Sequence, residues 1–154
     1  METKVIRLLK SKKIEYKLLS HERPAFTCED AAKERKVPLD EMIKCILLVD
    51  KNKNYFLVCV PADKKVDLNK VREVIGCKRL SFAPDQEIEE ILGYKKGAIP
   101  LLLLKTKIPI LFDKEIEKKK KVNISSGDPR AGIELDTKDL ISLAKPKFGN
   151  FSKG

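Results

Sequence analysis

Two apolar runs set five residues apart do most to limit what this chain can become. Ile46-Leu47-Leu48-Val49 and Tyr55-Phe56-Leu57-Val58-Cys59-Val60 flank the polar stretch Asp50-Lys51-Asn52-Lys53-Asn54. β-branched and aromatic residues suit a pleated surface, and two such runs around a short polar loop predict a β-hairpin.

Helical signals precede and follow that hairpin. Val5, Ile6, Leu8 and Leu9 fall on one side at helical spacing, with Lys and Arg between them, which predicts an amphipathic helix over residues 2–13. Ile14, Tyr16 and Leu18 alternate as in a strand, and residues 20–26, with Pro24, read as a loop. Thr27-Cys28-Glu29-Asp30 has capping-box spacing, with Thr27 accepting from a backbone N–H and Asp30 reaching back, and opens a helix to about Lys36. Residues 39–42 make a short helical turn. After the hairpin, Asp67 caps a helix that Gly76 ends, Leu80 and Phe82 form a short strand, and Pro84 opens a helix that Gly93 closes.

The second half carries strand signals over residues 98–104, 108–112, 122–125 and 133–135, then a last helix that Asp136 can cap. Lys118 to Lys121 read as a solvated turn, and the tail from Lys145 to Asn150 as loosely held. The order is mixed rather than strictly alternating. This predicts an α+β domain around a mostly antiparallel or mixed sheet. With 154 residues, a single domain over 1–154 is expected.

The 33 Lys and Arg against 23 Asp and Glu leave a formal charge of +10, a balance that attracts polyanions and makes nucleic acid the leading partner class. A charge-rich surface of the heat-adapted kind gives a similar count. Cys28, Cys45, Cys59 and Cys77 form no Cys-x-x-Cys, and His21 is the single histidine, so no zinc site or redox pair is written here. Cys45 and Cys59 lie in apolar runs and read as reduced core residues. No run approaches a membrane span and no secretory leader is visible, so a cytoplasmic location is expected.

The usual catalytic signatures are missing: no phosphate loop, no Gly-x-Ser-x-Gly elbow and no metal-ligand cluster. Two loops rich in glycine and small residues remain, Gly93-Tyr94-Lys95-Lys96-Gly97-Ala98-Ile99-Pro100 and Ser125-Ser126-Gly127-Asp128-Pro129. Such loops can aim several backbone N–H groups at one oxyanion. Lys44 precedes an apolar run, where a strand places it on the face of Ile46 and Leu48 as either a functional cation or a snorkelling lysine.

Lys44-Cys45-Ile46-Leu47-Leu48, the strand Phe56 to Pro61, Leu68-Asn69-Lys70-Val71-Arg72, the loop ending at Pro100 and Ser126-Gly127-Asp128-Pro129 before Ile133-Glu134-Leu135 occur in the order of the YbaK/ProX family. The chain resembles a free-standing member, related to the editing insertion domain of bacterial prolyl-tRNA synthetase. The resemblance spans residues 14–144. It implies a curved, barrel-like sheet with surrounding helices, and a deacylase that hydrolyses the ester of a mischarged alanine or cysteine on tRNA, with tRNA-Pro as the expected carrier.

The resemblance implies no metal and no cofactor, and names mischarged tRNA and a prolyl-tRNA synthetase as partners. Lys44 matches the family's characteristic lysine and, with Gly97, forms the catalytic pair. Ala98, Ile99 and Pro100 match the loop lining the aminoacyl pocket, and Ser126, Gly127 and Asp128 a second pocket loop; His21 and Thr27 complete the substrate-binding set. His21 is a general-base candidate by chemistry and a loop anchor by position. The family loop commonly reads Gly-x-x-x-Pro, whereas here Lys96 stands four before Pro100 and Gly97 three before. Leu101-Leu102-Leu103-Leu104 also departs from the family's Pro-Phe-Gly-like continuation.

Two other classes remain beside the deacylase. A non-catalytic module would hold an aminoacyl adenosine or a synthetase in the same pocket. A general RNA-binding protein is disfavoured, since no RNP-like stretch is present and aromatic residues are only 6% of the chain.

Overall fold

The structure is a computed structural model and describes residues 2–154. Helix α1 (Lys4–Ser11) buries Val5, Ile6 and Leu9, and its N–H at Ile6 donates to the Thr3 hydroxyl at 3.3 Å. Strand β1 (Tyr16–Ser20) follows. Helix α2 (Cys28–Arg35) starts where the Thr27 hydroxyl accepts from the Asp30 N–H at 3.1 Å, and Lys36 ends it in the left-handed region at φ 56°. Only that half of the expected capping box forms among the described residues.

A 3₁₀ turn (Leu39–Glu41) leads into the hairpin of β2 (Ile43–Asp50) and β3 (Tyr55–Pro61). The Asp50 carboxylate accepts from the N–H groups of Asn52 and Asn54, both at 2.9 Å, which shapes the polar loop. Then come β4 (Lys65–Val66), α3 (Leu68–Ile75), β5 (Leu80–Phe82) and α4 (Asp85–Leu92). Asp67 caps α3 through the N–H groups of Asn69 and Lys70. Gly76 ends α3 at φ 81°, a conformation that favours glycine. The second half contains β6 (Ile110–Asp113), α5 (Lys114–Glu117), β7 (Lys121–Ser125), β8 (Ala131–Asp136), α6 (Thr137–Ala144), β9 (Lys147–Gly149) and β10 (Ser152–Lys153).

The strands form a mixed five-stranded sheet in the order β5-β2-β3-β6-β9, an antiparallel sheet β1-β8-β7, and a short pair β10-β4. β3 and β6 run parallel, as do β6 and β9. A parallel bridge from Met42 to Asn123 joins the two larger sheets, giving the curved, unclosed α+β architecture. Alternation along β2 and β3 divides the apolar residues between two cores. Leu47, Leu57 and Cys59 face the main core with Phe112, Ile133 and Leu140. Leu48, Val58 and Val60 face a second one with Val71 and Phe151.

Four local expectations need correction. Residues 98–104 are not a strand: Leu101 and Leu103 adopt φ 55° and 56°, which breaks side-chain alternation and buries Leu101 and Leu102 without a strand ladder. The solvated turn expected over Lys118 to Lys121 is one residue shorter: it spans residues 118–120, and Lys121 already belongs to β7. Asp136 occupies the N-cap of α6 but makes no side-chain capping bond. The tail is not loose: β9 pairs with β6, β10 pairs with β4, and Phe151 is fully buried. Asp113 holds it, one carboxylate oxygen capping α5 at Glu115 and the other accepting from the Phe151 N–H, both at 2.9 Å.

Candidate active site

A cavity of about 230 Å³ opens between α2, the first half of β2 and the loop after α4. At roughly 30 Å³ per water molecule it has room for a handful of waters, the scale of a small side chain and an ester. α2 approaches β2 closely because its inner face is built from Ala31 and Ala32, packed with Ala25, Met42 and Ala62. The floor is buried and largely apolar, with Ala31, Met42, Ile43 and Ile99. The rim is exposed at Phe26 and Lys96.

Lys44 lines this cavity, half-buried, and forms no ion pair among the described residues. Beside it, the edge of β2 is open. β3 covers one side of β2 from Ile43, but β5 covers the other only from Leu48. Backbone groups alternate sides along an antiparallel strand. Leu47 O accepts from Ala83 N on the β5 side, whereas Met42 O and Asp50 N bond toward the β3 side. Cys45 shares the side of Leu47, so its N–H and C=O open onto the unpaired edge.

Gly97, at φ 84°, packs so tightly on the Phe26 backbone that a Cβ would collide with the Phe26 carbonyl. Gly97 and Ile99 line the cavity, and their N–H groups make no hydrogen bond among the described residues. Ala98 and Pro100 are buried outside the lining, and the Ala98 N–H donates to Lys95 O at 2.9 Å. Thr27 contributes to the wall while its hydroxyl caps α2.

The second loop is distributed differently. Ser125 reaches the cavity, whereas Ser126 is fully buried and its hydroxyl donates to Ala131 O at 2.7 Å. Ser126 and Gly127 instead border a neighbouring groove with Tyr94 and Leu103. Asp128 accepts from the Arg130 N–H at 2.8 Å, and this bond together with the Arg130 guanidinium holds its carboxyl below the usual range.

His21 lies away from the lining. Its Nδ1 faces Arg23 O at 2.6 Å and its Nε2 faces Arg35 Nε, an obligate donor, at 3.2 Å. The ring therefore carries its proton on Nδ1 and accepts at Nε2. Burial pushes Cys28 up to about 11 and Cys59 well above its ordinary value, and Cys59 Sγ lies 3.8 Å from Cys45 Sγ across the hairpin.

Sequence reasoning missed Phe26, Cys28, Arg35, Met42 and Cys45, all of which line the cavity. One signal was available: Cys28, Ala31 and Arg35 share a face of α2 at i, i+3 and i+7, which puts a charge on the apolar side of a helix. Among the described residues no group of three or more His, Cys, Asp or Glu side chains is placed to hold a metal ion, and no helix is long and apolar enough to cross a membrane.

Residues 22–143 match the aminoacyl-tRNA editing domain. The prolyl-tRNA editing protein ProX of Acetoanaerobium sticklandii is 30% identical over 152 residues, covering 96% of this chain and 92% of the relative. The multifunctional Ser/Thr-tRNA deacylase ProXp-y of Escherichia coli is 25% identical over 154 residues, covering 97% and 92%. A solved structure of a candidate trans-editing enzyme for prolyl-tRNA synthetase superposes with a TM-score of 0.84 at 21% identity, over 100% of this chain and 99% of that one, a likeness of fold. The chain belongs to the aminoacyl-tRNA editing domain family.

Proposed function

We propose that this chain is a cytoplasmic trans-editing deacylase, one domain over residues 1–154, that hydrolyses the ester joining a mis-attached alanine or cysteine to tRNA-Pro. The observation that carries the reading is the cavity itself. It sets a cation, Lys44, and two residues with unbonded N–H groups, Gly97 and Ile99, around a small apolar floor.

That arrangement suits ester hydrolysis assisted by the substrate. Water adds to the ester carbonyl carbon, the N–H groups of Gly97 and Ile99 stabilise the oxyanion, and the bond to the ribose oxygen breaks. The neighbouring tRNA hydroxyl carries the proton, and Lys44 holds the terminal phosphate region. Partners are mischarged tRNA and a prolyl-tRNA synthetase, the second in keeping with the fold shared with a candidate trans-editing enzyme for prolyl-tRNA synthetase.

Release of alanine or cysteine from charged tRNA-Pro under single-turnover conditions tests the reading. Hydrolysis about a hundredfold or more above the uncatalysed rate is expected, the low end of what positioned proton transfer supplies. Binding of the charged tRNA without hydrolysis would make the chain a binding module instead. The net charge of +10 adds a second expectation, because phosphate neutralisation releases counterions. The Kd for tRNA should weaken tenfold or more between about 50 and 200 mM salt in a filter-binding titration. A flat titration would contradict a phosphate-led footprint.

A further inference from the structure

Arg35 is the least expected residue of the cavity. It ends α2, is only 7% exposed, and lines the cavity beside Cys28 and Ala31. Its Nε donates to His21 Nε2, but neither Nη group makes a hydrogen bond and no carboxylate pairs with it among the described residues. Burial lowers its affinity for its proton, and Cys28, beside it in the lining, is a neutral thiol. A desolvated cation without a counter-charge is costly unless something else supplies acceptors.

The guanidinium is held in one plane. Gly132, in β8 opposite Leu19 and Ser125, leaves the space: a Cβ there would lie 2.5 Å from Arg35 Nη1 and 2.6 Å from Cζ and Nε. His21 fixes the same group from the Nε side and is itself anchored to Arg23 O. The guanidinium is thereby held in a fixed orientation within the lining, beside a buried stretch of α2, while Lys44 and Gly97 occupy the more accessible wall. An ester placed at Lys44 and Gly97 sends the amino-acid side chain toward the floor.

Resting on the deacylase reading, we propose that Arg35 is the specificity-determining residue of the cavity: its guanidinium donates to a heteroatom on the aminoacyl side chain, so seryl and cysteinyl esters are preferred to alanyl. A site whose donors are set for a substrate atom discriminates against the analogue lacking it. His21 is a positioning residue acting through Arg35.

The test charges one tRNA-Pro transcript separately with serine, cysteine and alanine and compares kcat/KM. The wild-type protein should favour the seryl ester over the alanyl by about ten- to hundredfold, the range for a hydrogen bond to a charged group, and the cysteinyl ester by less, because its sulfur is a weaker acceptor. Arg35→Met, apolar and of similar reach, should bring that ratio close to one, and Arg35→Lys should retain part of it. His21→Phe, which removes the acceptor for Nε but keeps the guanidinium, should lower the ratio to an intermediate value. Each ratio compares substrates on one preparation, so partial loss of folded protein cancels. An Arg35→Met ratio within about twofold of wild type overturns the inference, as does a wild-type protein without preference. If the wild-type protein hydrolyses none of the three esters, the deacylase reading falls too; hydrolysis with an unchanged ratio sinks only the role of Arg35.

Discussion

Replacing Lys44 by alanine is expected to reduce kcat/KM for deacylation by about ten- to hundredfold, corresponding to loss of one charge-assisted contact worth ~1.5–3 kcal/mol. The lysine sits on the cavity wall without an ion-pair partner among the described residues, so its ammonium is available to an anionic substrate group. Its removal leaves no protein carboxylate unpaired, and the change in stability should stay below about 0.5 kcal/mol, a shift in Tm of about 1–2 °C. Lys44→Arg keeps the charge but replaces a compact ammonium with a planar fork, and should restore activity only in part. The measurement is single-turnover hydrolysis alongside a thermal melt. Near-wild-type hydrolysis by Lys44→Ala would remove the lysine from the mechanism and leave it a snorkelling strand residue.

Phe151→Ala is expected to have the largest effect on stability, about 3–5 kcal/mol, because it empties a fully buried aromatic site. The loss is not confined to a cavity. Phe151 packs on Gly149, its N–H donates to Asp113 at 2.9 Å, and its carbonyl accepts from the Asp67 N–H at 2.8 Å, so the same residue ties the tail to β6 and to the start of α3. Scaled by ~2–4 °C per kcal/mol for a chain of this size, Tm should fall by about 10 °C or more. Equilibrium denaturation checks it. A change under about 1 kcal/mol would mean that the tail only lies against the surface.

Local chemistry made most of the elements legible. Thr27, Asp67, Gly76 and Gly93 act within a few residues of themselves, and each stands at the helix end where its type predicts it. The hairpin was readable for the same reason, since its loop and both strands are contiguous. The leucines of residues 101–104 misled because apolarity signals burial without specifying how the backbone achieves it; two left-handed residues bury Leu101 and Leu102 yet leave Leu103 at 46% exposure. The tail misled because Phe148 and Phe151 stand close to lysines, and their burial depends on distant partners: Phe148 pairs with Phe112 of β6, and Phe151 packs with Leu48, Val58 and Val71.

The cavity shows the same division. Lys44 and Gly97 stood out because a charge before an apolar run and a glycine before a proline are visible one residue at a time. Arg35 did not, because its meaning depends on α2 docking over β8, where Gly132 lies opposite both Leu19 and Ser125. Nor could the sequence tell that the Ser126 hydroxyl is engaged by Ala131 O, which separates it from the neighbouring Ser125 on the cavity wall.

The pairing of β1 with β8 also sets a timetable for synthesis. Tyr16 finds its partner in Leu135, about 120 residues later in the chain. At a ribosomal pace of ~5–20 residues per second, the first strand emerges on the order of ten seconds before the strand it needs. The core that receives the apolar face of α1 also includes Ile133 and Leu140, so it is incomplete until nearly all of the chain has been made. The hairpin of β2 and β3, whose partners emerge within seconds of each other, is the earliest piece of sheet that can close on the growing chain, and the domain completes itself around it from both ends.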